Sequence, residues 1–257
     1  MKELRSAWVV FRFECRRTLT LPRLMFGLGL ALFPAAIVAL LQYQGAHLER
    51  DERGTIALFL LIPEVVCLMG LLLWAAPLIH AELEARTWSY LAVRPVGRGS
   101  ILAGKYLAAV VWTIACAWLS LVLCQFAGPV GPRLTWVLAA LVPLSCLTYG
   151  AIYVLLGVLF LQRAMVAAVA YTAILEALVA WIPAMINQFS VQYHLRCLMV
   201  KWMDLPGPQA GSVEQRLLFS DAPAAWHVVV LLGATAILLT AAAWILRRRE
   251  LVKADEI

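Results

Sequence analysis

Charge is scarce in this chain. Of its 257 residues, 14% are Asp, Glu, Lys or Arg and 63% are hydrophobic, with a mean hydropathy of +0.86. Soluble domains average roughly 25% charged and 45–50% apolar residues, so this balance excludes an ordinary soluble fold and requires an integral membrane protein. Long polar stretches are missing as well. None could bury a core of its own, and residues 1–257 read as a single membrane unit. Metal-ligand and disulfide spacings are absent. Cys15, Cys67, Cys116, Cys124, Cys146 and Cys197 form no CxxC, and the four that fall in apolar segments (67, 116, 124, 146) read as small buried hydrophobes. His47, His80, His194 and His227 are scattered, so a metal site would have to be assembled across helices, and none is expected.

Reactive-group motifs are missing too. There is no HExxH, no GxSxG, no helix with paired aspartates and no GxxxxGK[ST] loop. Gly104-Lys105 lacks both the earlier glycine and the following Ser or Thr of a phosphate loop, which excludes nucleotide hydrolysis by the chain itself. The formal charge of +6 and pI near 9.2 point to lipid headgroups, not nucleic acid, as the polyanion nearby.

Apolar runs fill the space these absences leave. Spans are expected over 24–41, 57–79, 101–126, 134–161, 164–186 and 225–246, each about the length a hydrocarbon core requires. Ahead of them, residues 2–23 place Leu4, Trp8, Phe11, Cys15 and Leu19 at three- and four-residue steps against Lys2, Arg5, Arg12, Arg16, Arg17 and Arg23. That pattern predicts an amphipathic helix in the headgroup plane. A signal peptide fits poorly, because the basic region is too long and no small-residue cleavage pattern follows. Residues 187–224 are the longest segment outside the spans. Their first half, with Phe189, Tyr193, Cys197, Val200 and Trp202 on one side, predicts an amphipathic helix at the far interface. The fold class expected is therefore an all-α membrane protein, six spans preceded by an interface helix.

Orientation follows from basic residues. Placing the N-terminal helix, the loop after the second span, Arg163 and the C-terminal tail on one side leaves six of the 21 Lys and Arg residues opposite: Arg50, Arg53, Arg133, Arg196, Lys201 and Arg216. The basic side is expected to be cytoplasmic, with both termini on it.

Two carboxylates, Glu64 and Glu176, fall inside apolar spans. At a helix centre an acidic residue costs roughly 2.5–3.5 kcal/mol on insertion scales, so each needs a partner or a wet cavity. Either they line a path for cargo or protons, or Glu64 lies near the outer interface and Glu176 is satisfied by a hydroxyl or indole of a neighbouring span.

The loop at 81–100 is patterned. Glu82, Glu84 and Arg86 fall on exposed positions of a helix continuing from the second span, Pro95 stops that helix and biases Arg94 to an extended conformation, and Arg98 leads back to the membrane. Trp88, Tyr90 and Leu91 among these charges need cover, from a soluble partner or from the interface.

The run Glu82-x-Glu84-x-x-Thr87-x-x-x-Leu91-x-x-x-Pro95-x-x-Arg98-x-x-Ile101-x-x-Gly104-Lys105 resembles the first cytoplasmic loop of ABC-2 type permeases, the membrane subunits of bacterial ATP-binding-cassette exporters. The layout of basic N-terminal helix, six spans, long outer segment and closing Arg247-Arg248-Arg249-Glu250-Leu251 is similar to that family. Arg86 and Arg94 depart from it, standing where the family often has a glycine and a small residue. The resemblance implies a non-catalytic subunit of the bacterial inner membrane that works with two cytoplasmic ATPase subunits, which hold ATP and Mg. It also implies a second permease chain, identical or homologous, and a coupling interface through Glu82, Glu84, Arg86, Thr87, Arg94, Pro95 and Arg98. Two other classes compete: an ion-coupled secondary transporter using Glu176, and a membrane assembly subunit that transmits force but moves no cargo.

Overall fold

The computed structural model describes residues 2–18, 20–43, 52–78, 98–128, 130–178, 190–204 and 222–248. Among them every regular element is helical. In chain order these are α1 (Lys2–Thr18), α2 (Leu21–Tyr43), α3 (Glu52–Phe59), a π-helical segment (Leu60–Val66), α4 (Cys67–Trp74), α5 (Arg98–Ala127), α6 (Pro132–Leu159), α7 (Ala164–Tyr171), a second π-helical segment (Thr172–Leu178), α8 (Val191–Met203) and α9 (Ala224–Arg248). Five stretches are long and apolar enough to cross a membrane: 21–43, 54–74, 99–127, 132–159 and 224–248. The sixth expected span, 164–186, is described only as far as residue 178 and is apolar over 164–175.

The N-terminal helix expected to run to residue 23 stops at Thr18. The Thr20 N–H turns back to the Thr18 carbonyl, and a new helix opens at Leu21 with Pro22 in its first turn, where the missing N–H leaves no intrahelical bond unmade. α1 buries Glu14 and Thr18, with Ala7 and Val10 partly so; of its expected apolar stripe, Phe11 and Cys15 are partly buried and Trp8 is 63% exposed. Trp8 stacks on Phe11 at 5.1 Å between ring centroids.

Pro63 explains why the second span is not a plain α-helix. In an α-helix its ring collides with the carbonyl four residues back; the wider π turn moves that carbonyl aside. The N–H of Cys67 accordingly reaches five residues back to the Ile62 carbonyl, and the Pro63 carbonyl accepts a bond from Ser145 Oγ of α6 at 2.6 Å.

α6 is the most buried span and the axis of the bundle. Tyr149 and Tyr153 are fully buried along it, and the Tyr106 hydroxyl of α5 donates to the Leu147 carbonyl at 2.8 Å. Gly157 lets α6 approach the end of the second span so closely that an added Cβ would stand 2.7 Å from the Ala76 carbonyl oxygen. By contrast α2 and α9 bury little of themselves and turn Phe26, Leu32, Phe33, Val229, Leu232 and Ile237 outward. In a membrane that apolar outer surface meets lipid. Cys67, Cys124, Cys146 and Cys197 are buried and no cysteine is in a disulfide.

α8 forms the helix expected in the first half of 187–224, and it buries more than the expected stripe. Ser190 caps its start by accepting from the Tyr193 N–H, and Asp204 closes it in the left-handed region at φ 49°. Between these ends Val191 to Leu195 and Cys197 to Met199 are all buried, because the helix inserts against α6 and α9 rather than lying on the bundle. Arg133, at the start of α6, donates to the Trp202 carbonyl at 3.1 and 3.2 Å and pairs with Asp204.

Candidate functional site

Two places in the bundle gather polar side chains that lipid would otherwise make costly. The first is the basic end, where α5 receives the chain returning from the 81–100 loop. Gly104 has no side chain to hold α1 off. A Cβ there would lie 2.6 Å from the Ala7 carbonyl oxygen and 2.9 Å from Val10 Cβ, so the two helices touch backbone to side. One residue on, Lys105 Nζ donates to Glu14 Oε1 at 2.5 Å, with the side chains only 4% and 12% exposed. Arg17 stands 3.7 Å from the same carboxylate oxygen. On the other flank of the first turn of α5, the Arg247 guanidinium of α9 would stand 3.3 Å from a Cβ at Gly99. The helix leaving the loop is thus mounted on α1 and on the end of α9. Burial, and then the adjacent Glu14 carboxylate, pushes the Cys15 thiol up.

The second place lies at the opposite end. Glu64 sits in the first π segment, 8% exposed, and its Oε2 accepts from Gln192 Nε2 of α8 at 2.7 Å. Nearby, His194 Nδ1 and His227 Nδ1 are 2.9 Å apart, one nitrogen donating and the other accepting, with the Tyr193 ring edge-on to both imidazoles. α8 is therefore held to the second span by one polar contact and to α9 by another. Among the described residues no group of three or more His, Cys, Asp or Glu could hold a metal ion.

Replacing Gln192 by leucine leaves a buried carboxylate without its amide donor. Hydrogen bonds to charged groups contribute about 1.5–3 kcal/mol. Gln192→Leu is expected to lower stability by that order, and Glu64→Gln, which keeps an acceptor for the same amide, by clearly less. Thermal unfolding of the detergent-solubilised variants checks the ranking; equal losses would mean that the contact is only packing.

The sequence-derived site residues fall unevenly on this picture. Glu82, Glu84, Arg86, Thr87, Arg94 and Pro95 lie outside the described residues, while Arg98 opens α5. Glu176 lies on the second π segment, its side chain outside the described set; both glutamates thus fall in π turns, a backbone irregularity frequent at functional sites. Glu14 and Gln192 escaped sequence reasoning. Lys105 was visible as a motif residue, but its role as the anchor of α1 was not.

These features define a multi-pass, all-helical membrane protein whose N-terminal helix is bolted to the span that follows its patterned loop. A family model described as ABC-2 family transporter protein matches residues 16–181, and the chain belongs to that family. It is thereby the permease type of subunit, and members of this family generally work with ATPase subunits. The match ends before α8 and α9. No curated protein matches the chain.

Proposed function

We propose that the protein is the permease subunit of an ABC exporter in the bacterial cytoplasmic membrane, with both termini in the cytoplasm. Two such chains, identical or homologous, pair with two cytoplasmic ATPase subunits that hold ATP and Mg2+. The 81–100 loop is the segment that enters the ATPase, through Glu82, Glu84, Arg86, Thr87, Arg94, Pro95 and Arg98. The observation that carries this reading is the mounting of α5. A loop that transmits force needs a stiff lever behind it, and Gly104 and Lys105 fix the first turns of α5 to α1 by backbone contact and a buried ion pair. ATP moves the assembly only if it favours one of two arrangements of that lever over the other. Glu64 and Glu176, each on a π turn, are candidates to line the cargo path.

The test is co-purification. The tagged chain is expected to bring down a soluble ATPase in fixed ratio, and Glu84→Lys or Glu82→Lys to cut permease-stimulated ATP hydrolysis about ten-fold, the order expected when an interfacial charge is reversed. Insertion and thermal stability should be unchanged. Undiminished hydrolysis would remove the loop from the coupling role, and a protein that purifies without any ATPase would favour the ion-coupled carrier, with Glu176 the next residue to change.

A further inference from the structure

A polar cavity and an apolar groove meet where α1, α2, α4 and α5 converge at the basic end. The cavity, about 60 Å³, is lined by Glu14, Arg17, Arg23 and Lys105 among others; the groove, about 320 Å³, runs on between Leu24, Leu28 and Leu119. Thr18, Arg23, Trp74 and Trp112 line both. From this geometry we propose that the joint holds one anionic phospholipid, its phosphate in the cavity and an acyl chain in the groove.

Three independent features point to such a ligand. Charge comes first: three cations face a single carboxylate, and this surplus of positive charge at the edge of the hydrocarbon calls for an anion. The second feature is hydrogen-bond donors. Trp74 is 8% exposed and Trp112 half-buried, both rings line the cavity, and each indole N–H is buried without a partner among the described residues, a donor that a bound acceptor oxygen would engage by shifting the ring. Shape is the third. The cavity opens onto the groove through the residues that line both, so an anionic group in the first is continuous with an apolar tail in the second. A free phosphate would satisfy the charge and the donors but leave the groove without an apolar occupant, so the lipid is the source we infer. Arg23 suits the role because it stands at the start of α2, exposed, at the level where long basic side chains reach the headgroups. The lipid would then be a third element of the joint, tying α1 to α2 beside the Glu14–Lys105 pair. This assignment stands apart from ATPase coupling and needs no partner subunit to be tested.

Native mass spectrometry of the full chain in detergent, titrated with dioctanoyl phosphatidylglycerol, dioctanoyl phosphatidylcholine or inorganic phosphate, reads the site directly. One phosphatidylglycerol is expected to be retained per chain, well above phosphatidylcholine, with phosphate alone not retained. Arg23→Gln should weaken retention about five-fold, the factor that one basic residue near a membrane surface contributes. Trp112→Phe, which keeps a ring and removes the N–H, should weaken it several-fold. Trp136→Phe, exposed at the far end of the bundle, should leave it unchanged. Equal retention of the two lipids would show an apolar groove without anion recognition, and phosphate bound as well as lipid would show a free-anion site. Retention unaffected by both Arg23→Gln and Trp112→Phe would place the lipid elsewhere. Any of these overturns the proposal, and the comparison of three probes on the unmodified chain decides it even if a variant fails to fold.

Discussion

Replacing Lys105 by methionine is expected to cost about 3 kcal/mol, near the lower end of the ~3–5 kcal/mol lost when one partner of a buried ion pair is removed. The loss has a specific origin. Glu14 Oε1 accepts from Lys105 Nζ at 2.5 Å and is almost shielded from solvent, so the substitution strands a carboxylate at the contact between α1 and α5. Arg17, 3.7 Å from the same oxygen, keeps part of the compensation, which sets the lower figure. Removing both charges has a different outcome. Apolar pairs of similar volume often replace a buried ion pair at no net cost, so Lys105→Met with Glu14→Leu should recover most of the stability lost by either change alone. Thermal unfolding of the two single variants and the double variant in detergent forms a cycle whose coupling term isolates the pair. If the losses simply add, the ion pair contributes nothing and α1 is held by packing alone. Should the double variant be stable yet stimulate its ATPase poorly, the pair matters for transmission as well as for folding.

Most of the long apolar helices were legible because lipid imposes its rule locally. Backbone groups in hydrocarbon must bond within the segment, so a run of apolar residues near 20 long becomes a helix whatever its neighbours are. The helices at 21–43, 99–127, 132–159 and 224–248 enclose the expected spans, or all but a residue or two of them. Polar helices obey no such local rule. Val191–Met203 carries His194, Arg196 and Lys201, and its composition suits a headgroup surface; it is buried because Gln192 meets Glu64, 128 residues earlier, and His194 meets His227, 33 residues later. Neither pairing leaves a trace in the helix's own periodicity. The basic end failed for a related reason. Trp8 and Phe13 mark the outward edge of α1, whereas the face against α5 is Ala7, Val10, Glu14 and Thr18, small or polar side chains at helical spacing that a hydrophobicity pattern overlooks. Close packing of helices in a membrane uses small residues, so Gly104 and Ala7 were a signal of contact, whereas Glu14 on the same face carried none. Pro63 also shows the limit of local reading: the carbonyl left free in its π turn accepts from Ser145 of α6, 82 residues on.

Gly104→Leu is expected to separate α1 from α5 and to abolish accumulation of folded protein, whereas the same change at Gly29 or Gly233, where a side chain meets open space, should be tolerated. At Gly104 the atom a Cβ would meet is a backbone carbonyl oxygen, Ala7 O at 2.6 Å, so no rotamer change relieves the overlap and α1 itself must move. Even Gly104→Ala should cost about 1–3 kcal/mol, the usual range for overpacking. The other glycines make an internal control. At Gly29 and Gly233 an added Cβ meets nothing within 4 Å, so alanine there should be neutral or stabilise the helix by up to about 1 kcal/mol through its better helix propensity. Gly70 is the intermediate case, because the obstruction is Thr113 Cγ2 at 2.8 Å, a side-chain atom, and trimming Thr113 to serine should rescue Gly70→Ala. No side-chain trimming should rescue Gly104→Ala, since the obstacle is main chain. Unfolding midpoints of Gly29→Ala, Gly70→Ala, Gly104→Ala and Gly233→Ala, measured together, give the order. A Gly104→Ala variant as stable as Gly233→Ala would mean that α1 rests loosely on α5. The lever behind the loop would then have no fixed mount, and the coupling mechanism would lose the observation that carries it.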